Sequence, residues 1–234
     1  MHRVESVLVV AAGDPDEFPS VPECDLTIAA DSGLDLALAL GLGVDIVVGD
    51  MDSVDAANLA MATRRGVRMV RHRSDKEETD LELALGLASA RSPERIHVLV
   101  GAGGRLDHAL ANLAVLASPR WKCSSVSAHV GAARVWVVRG TLDLPLGLRD
   151  PLALQPIGGP AHGVTTEGLS YPLTDATLDP FAGRGIANVV VAEPVRVTVG
   201  DGVVLAISAP TRSTGLGAVR DRGRSRSSWT GGRR

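Results

Sequence analysis

The chain has 234 residues, 45% hydrophobic and 22% charged, enough for one large soluble domain or two small ones with ample core. Aromatics make up only 3%, which excludes a base-stacking surface for single-stranded nucleic acid. The net charge of −3 divides into −9 over residues 1–210 and +6 from Thr211 onward, and so acidic a body excludes nucleic acid as the main ligand, because phosphate-backbone binding needs clustered Lys and Arg.

The N-terminal stretch from Met1 to Glu5 leads into a strand rather than a signal-peptide core, and no apolar run approaches the ~18–20 residues that span a bilayer. Cys24 and Cys123 are far apart and lack any CxxC context. Reduced thiols, a cytoplasmic protein and no membrane association are expected.

Through residues 1–139 short β-branched runs alternate with helix-period stretches. Strands are expected at 6–11, 26–30, 45–48, 67–71, 95–100 and 124–128, and helices at 34–42, 54–65, 79–91 and 107–117. The helix beginning at Thr79 carries the plainest signal, a Thr79-x-x-Glu82 capping box followed by Leu81, Ala84, Leu85 and Ala88 on one face. Strands separated by helices of this length form βαβ units, so the fold class is α/β, a Rossmann-like parallel sheet for nucleotide binding and catalysis. Residues 140–210 are rich in Gly and Pro, with strand-like pieces at 152–155, 163–166, 187–192, 195–199 and 203–208 and no helix. They read as a small antiparallel β-sandwich domain. Residues 211–234 are Arg-, Ser- and Gly-rich and read as a disordered basic tail.

Three acidic clusters follow strand-like runs, and in an alternating β/α chain such strand ends open onto one edge of the sheet, where ligands bind. Asp50 and Asp52 sit in Gly49-Asp50-Met51-Asp52-Ser53. Either both reach a Mg²⁺, or the turn simply caps the next helix with Ser53 as N-cap. Asp80 opens the Thr79 helix, where the macrodipole favours an acid in any case, and Lys76 before it is either a phosphate contact or a solvated loop lysine. In the third cluster, Gly103 and Gly104 let backbone amides approach a ligand, Arg105 can fork onto phosphate oxygens, and Asp107 faces a metal or accepts a proton or else caps its helix. His108 reads more readily as a helix-start residue than as a catalyst. Asp31, after another strand, joins the same edge and can hold a polar group of a substrate. Gathered carboxylates repel unless a hard cation joins them, and Mg²⁺ on phosphate oxygens is the commonest such cation. There is no GxxxxGK[ST] and no complete dinucleotide fingerprint, so neither P-loop nor Rossmann dinucleotide chemistry applies.

Taken together, Ala30-Asp31-Ser32-Gly33, Gly49-Asp50-Met51-Asp52-Ser53, Lys76-x-x-Thr79-Asp80 and Gly103-Gly104-Arg105-Leu106-Asp107-His108 resemble the thiamine pyrophosphokinase family in order, spacing and strand-end placement, over roughly residues 5–208. Ser32, Met51 and Glu77 stand where the family's usual patterns have Gly, Phe and Asp; the metal-facing acids stay in place. The resemblance implies a homodimer of α/β-plus-sandwich subunits that converts ATP and thiamine to AMP and thiamine diphosphate. It implies Asp50, Asp52 and Asp80 as Mg²⁺-phosphate acids, and Arg105 and Asp107 as catalytic partners on the phosphate and hydroxyl sides. Asp31, Ser53, Lys76, Thr79, Gly103, Gly104 and His108 would line the substrate and ATP site. In the β region Gly168-Leu169-Ser170-Tyr171-Pro172-Leu173 and Gly185-Ile186-Ala187-Asn188 resemble the family's thiamine-side stretches, which nominates Tyr171 and Asn188, with Tyr171 for Trp and Ala187 for Ser as departures. A pyrophosphokinase for another alcohol such as a hydroxymethylpterin, a phosphatase using Asp50 and Asp52 as nucleophile and acid, and a non-catalytic nucleotide sensor are the competing readings.

Overall fold

The computed structural model describes residues 3–15, 18, 20–101 and 106–209. Gly103, Gly104, Arg105 and the 211–234 tail lie outside them.

Six strands lie parallel: β1 (Ser6–Val10), β2 (Leu26–Ala30), β3 (Ile46–Gly49), β4 (Arg68–Arg71), β5 (Arg95–Val100) and β6 (Ser125–Val130). Their side chains alternate between two covered faces, which is why β1 and β5 read as nearly unbroken apolar runs. On one face α3 (Asp80–Ser89) lays Leu81, Ala84, Leu85 and Ala88 over Val7, Val9, Ile28, Val48 and Val98. On the other, α1 (Gly33–Ala39) covers Leu8 and Val10 with Leu36 and Ala37, while Leu34, Met51 and Ala62 of α2 (Ala56–Arg64) enclose Ala29 and Val47. The remaining helix, α4 (Leu106–Leu116), runs into a 3-10 turn at Pro119–Trp121. There the buried Trp121 donates its indole N–H to the carbonyls of Val115 and Leu116 at 3.0 Å each, tying off the helix C-terminus.

Past β6 the chain reverses at Gly131 into β7 (Ala133–Val138), antiparallel to β6. The same sheet then continues through β14 (Val204–Ser208), β9 (Pro151–Pro156) and β12 (Asn188–Val189) to a total of ten strands. A second, antiparallel sheet of β8 (Thr141–Leu144), β10 (Ala161–Glu167), β11 (Ala176–Leu178) and β13 (Val195–Thr198) packs on this extension around Leu152, Leu154, Val164, Val197 and Ala206. The expected α/β layer followed by an antiparallel sandwich is therefore present, with one sheet shared between them. Among the described residues no helix is long and apolar enough to cross a membrane.

Three strands, β7, β8 and β11, were not anticipated from the sequence, and the expected 187–192 strand shrinks to Asn188–Val189 because Ala187 turns to φ 57°. The N-cap of α2 also differs from expectation. Asp55, not Ser53, caps it, its carboxylate accepting from the amides of Ala57 (2.9 Å) and Asn58 (3.1 Å). The preceding turn needs two more residues because Met51, at φ 66°, dives into the core.

The turn from β2 into α1 depends on a close backbone approach: a Cβ on Gly33 would lie 2.0 Å from the carbonyl oxygen of Val10. Gly33→Ala should therefore destabilise the fold by about 1–3 kcal/mol, the usual scale of overpacking, as read by denaturant titration. Unchanged stability would contradict this packing.

Candidate active site

The chain begins in the middle of the large sheet at β1, builds outward through β2, β3 and β4, then crosses back through α3 to β5 and β6 on the other side. The order thus reverses between β1 and β5. Ligands of open α/β sheets bind beyond the strand carboxyl ends at such a point, and a cavity of about 570 Å³ opens here. Ala11 and Ala12 beyond β1, Asp31 beyond β2 and Gly101 beyond β5 form its floor. Thr79 and Asp80 at the start of α3 and His108 and Asn112 of α4 form its sides.

Each acid is placed by a specific piece of backbone. Asp31 takes the left-handed conformation (φ 48°) directly after β2, its amide donating to the carbonyl of Val48 at 2.8 Å. This tucks the carboxylate inward, at 8% exposure, with Oδ1 lacking any hydrogen-bond partner. Burial raises its pKa despite the Ser32 amide that opposes it, and the charges of Asp80 and Asp50 add to the rise. Asp50 follows Gly49, and its Oδ1 accepts from the amide of Asp52 at 3.2 Å. That bond, with the Ser74 hydroxyl and the Lys76 charge, lowers its pKa. The hydroxyl of Ser53 donates to Asp52 Oδ1 at 3.0 Å. Carboxylate oxygens of Asp31, Asp50 and Asp52 all lie within 4.8 Å of one another.

The sequence reading grouped Asp80 with Asp50 and Asp52 and set Asp31 aside for a substrate. The geometry gathers Asp31 with that pair and leaves Asp80 beside them. Gly49, at φ 143°, is where they meet: a Cβ there would lie 3.0 Å from Asp80 Oδ1 and 3.1 Å from Asp31 Cβ. Asp80 faces Lys76, whose Nζ lies 2.9 Å from Oδ1 in an ion pair. Thr79 performs the capping expected of it, accepting from the Glu82 amide at 3.2 Å while Glu82 accepts from the Thr79 amide at 3.0 Å. Thr79, Asp80 and Leu81 line the cavity, so the N-terminus of α3, with its positive dipole end, faces it, a natural place for phosphate.

The other expected residues divide. Asp107 is exposed at the start of α4, accepting from the His108 amide at 3.0 Å, while His108 itself lines the cavity. Gly103, Gly104 and Arg105 lie outside the described residues. Tyr171 and Asn188 stand elsewhere: β12 is seven strand spacings from β2, roughly 30 Å at ~4.8 Å each. Asn188 is 4% exposed and spends its amide on Tyr171, accepting from its N–H at 3.0 Å and donating to its carbonyl at 2.8 Å. It clamps the backbone that presents the exposed Tyr171. Asn112 and the Ala11-Ala12 turn line the cavity without having been anticipated. The signal for Asn112 was its spacing of one helical turn from His108.

A donor set made only of carboxylate oxygens, one of them buried and unpaired, suits a hard cation such as Mg²⁺. A second cavity of about 320 Å³, over His97, Ser127, His129 and Trp136, has no carboxylate among its described lining residues.

Fold and site together define an α/β protein with an acidic pocket at its switch point, joined through a shared sheet to a β-sandwich. Residues 20–127 match the family described as thiamin pyrophosphokinase, catalytic domain, and residues 141–204 match thiamin pyrophosphokinase, vitamin B1 binding domain. The chain belongs to the thiamine pyrophosphokinase family. It is 28% identical over 117 residues to thiamine pyrophosphokinase of Bacillus subtilis (strain 168), covering 48% of this chain and 55% of that protein. It is 26% identical over 175 residues to thiamine pyrophosphokinase 1 of Oryza sativa subsp. japonica, covering 70% of this chain and 66% of that protein. These alignments thus span between about half and two thirds of the relatives' own length. In fold, the crystal structure of the Bacillus subtilis protein superposes with a TM-score of 0.76 at 22% identity, over 87% of this chain and 98% of that one. A family protein from Enterococcus faecalis gives 0.74 at 24% identity, over 87% and 98%.

Asp31 sets stability against function. Buried, with one carboxylate oxygen unpartnered and the charges of Asp80 and Asp50 close by, it is expected to cost the folded protein stability. Asp31→Asn, a residue that tolerates the left-handed backbone, should raise the melting temperature in EDTA by a few degrees and remove the stabilisation that Mg²⁺ gives the parent protein. A lower melting temperature in EDTA would contradict the assignment.

Proposed function

We propose that this protein transfers a pyrophosphoryl group from ATP to the primary hydroxyl of thiamine, giving thiamine diphosphate and AMP with Mg²⁺ as cofactor. The observation that carries the reading is the trio of Asp31, Asp50 and Asp52, with oxygens within 4.8 Å of one another, Asp31 of the three lining the switch-point cavity. Family membership supplies the acceptor, and the vitamin B1 binding match over residues 141–204 agrees with it.

In the reaction the thiamine hydroxyl oxygen bonds to the β-phosphorus of ATP, the bond from that phosphorus to the α,β-bridging oxygen breaks, and AMP departs with the electron pair. Bound Mg²⁺ would neutralise phosphate charge and polarise the phosphoryl group. Asp31, Asp50 and Asp52 would hold it, with Asp80 beside them. The α3 amides behind Thr79 receive phosphate oxygens, and Arg105 meets charge developing on the phosphoryl group. Asp107 takes the hydroxyl proton. Ser53, Gly103, Gly104 and His108 complete the nucleotide side. Positioning and electrostatics supply most of the acceleration, as in phosphoryl transfer generally.

Tyr171 and Asn188 are far from this cavity within one chain, which supports a homodimer in which a second copy brings its β-sandwich to the site. Exposed Tyr171 (70%), Ile186 (55%) and Val191 (55%), on or beside β12, give such an interface apolar surface.

Incubation with ATP, Mg²⁺ and thiamine should yield AMP and thiamine diphosphate by mass spectrometry, and Asp52→Ala or Asp80→Ala should slow turnover by at least ~10²-fold. Product formed only from a different alcohol would reassign the acceptor. Near-normal rates in both variants would remove the acids from the mechanism.

A further inference from the structure

We propose that Lys76 is an internal counter-ion for the acid cluster, occupying the cation's electrostatic role until metal and nucleotide bind and then turning to the phosphate chain. The proposal rests on the cluster being a cation site. What it adds is how four neighbouring carboxylates are tolerated before the cation arrives.

Asp31, Asp50, Asp52 and Asp80 converge at one edge of the sheet, and unpaired acids this close oppose folding. Among the described residues, the neighbouring guanidinium groups of Arg71 and Arg73 face other acceptors. Arg73 is held bidentately by Asp75 at 2.8 and 2.7 Å, and Arg71 reaches only the Asp50 carbonyl, at 3.5 Å. Lys76 is drawn in instead. Its side chain is 14% exposed, its Nζ lies 2.9 Å from Asp80 Oδ1, and Asp80, Asp50 and Asp31 all act on its charge.

The contact has the character of a placeholder. It joins an ammonium that rotates freely about its stem to one carboxylate oxygen at 2.9 Å, a single contact and not a bidentate clamp. The start of α3 does not need the pair, because the Thr79–Glu82 capping box already secures it. Lys76 lies in the segment between β4 and α3, on a flexible stem whose ammonium carries three rotatable donors and can exchange one anion for another. A dication entering among the same carboxylates repels the ammonium. The nearest anion then available is the triphosphate at the α3 N-terminus. Metal and Lys76 thus compete in the empty site and cooperate in the nucleotide complex.

Mn²⁺ titration of the nucleotide-free protein, read by electron paramagnetic resonance, tests this with the parent, Lys76→Met, Lys76→Gln and Asp52→Asn. Both Lys76 variants should bind Mn²⁺ about 10-fold more tightly than the parent, bind ATP in the presence of Mn²⁺ more weakly, and melt lower than the parent in EDTA with the gap closing at saturating Mn²⁺. Opposite shifts for metal and ATP separate this role from a general loss of structure, which weakens both. Mn²⁺ bound by the parent with affinity unchanged or weaker in folded Lys76 variants overturns the proposal alone. Mn²⁺ bound by none of the proteins, or equally by Asp52→Asn and the parent, overturns the cation site and the proposal with it.

Discussion

Repulsion among carboxylates at the carboxyl edge of the parallel sheet is the constraint around which this molecule is organised. Asp31, Asp50 and Asp80 come from three different connections, yet strand register brings them together: Ala30 pairs with Val48 across β2 and β3, and α3 returns over the same strands to set its first residue there. Dense aliphatic packing beneath, with Val9, Ile28, Val48 and Leu85 all fully buried, holds that edge rigid. Asp31, its pKa raised by burial, gives this edge no stability, whereas the hydrogen bonds that lower the pKa of Asp50 favour its charged form. A left-handed Asp31, a Gly49 at φ 143° and a partly buried lysine are the local devices that let the acids gather.

The shared sheet gives the acidic edge its second relation, to the sandwich. Because β6 and β7 form a hairpin, the sheet passes without interruption from parallel to antiparallel pairing, and the sandwich core around Leu154 and Val164 is anchored to the α/β layer. That continuity fixes how far the Tyr171–Asn188 clamp lies from the acids of its own chain. It also leaves β12 at the margin of the sheet, beside the exposed Tyr171, Ile186 and Val191.

Much of this was legible in the residues, for physical reasons that also mark where legibility ends. Strands buried on both faces read as continuous apolar runs, so β1 and β5 were plain, and α3 announced itself through Thr79 and Glu82. β7 was missed although Val135-Trp136-Val137-Val138 is itself a strand-like run. Its pairing with β14, Val138 opposite Val204, joins segments far apart in sequence, and no local periodicity encodes that. The edge on which the acids gather followed from strand ends alone, but their grouping did not. Asp31 joins Asp50 and Asp52 through a backbone conformation that an Asp residue does not advertise, and Asp80 is occupied by a lysine whose partner could not be read from spacing. Asn188 was nominated together with Tyr171, but the way its buried amide is satisfied by the Tyr171 backbone depends on a tertiary approach that sequence does not reveal.

The central claim is that separate strand ends jointly hold one hard divalent ion. Its most direct measurement is anomalous scattering from a crystal of the protein grown with Mn²⁺ and an ATP analogue. The account predicts a peak with oxygens of Asp31, Asp50 and Asp52 at bonding distance, about 2.0–2.2 Å, and the triphosphate on its open side. A fully occupied ion bound elsewhere, with those three carboxylates apart and facing solvent, would contradict it.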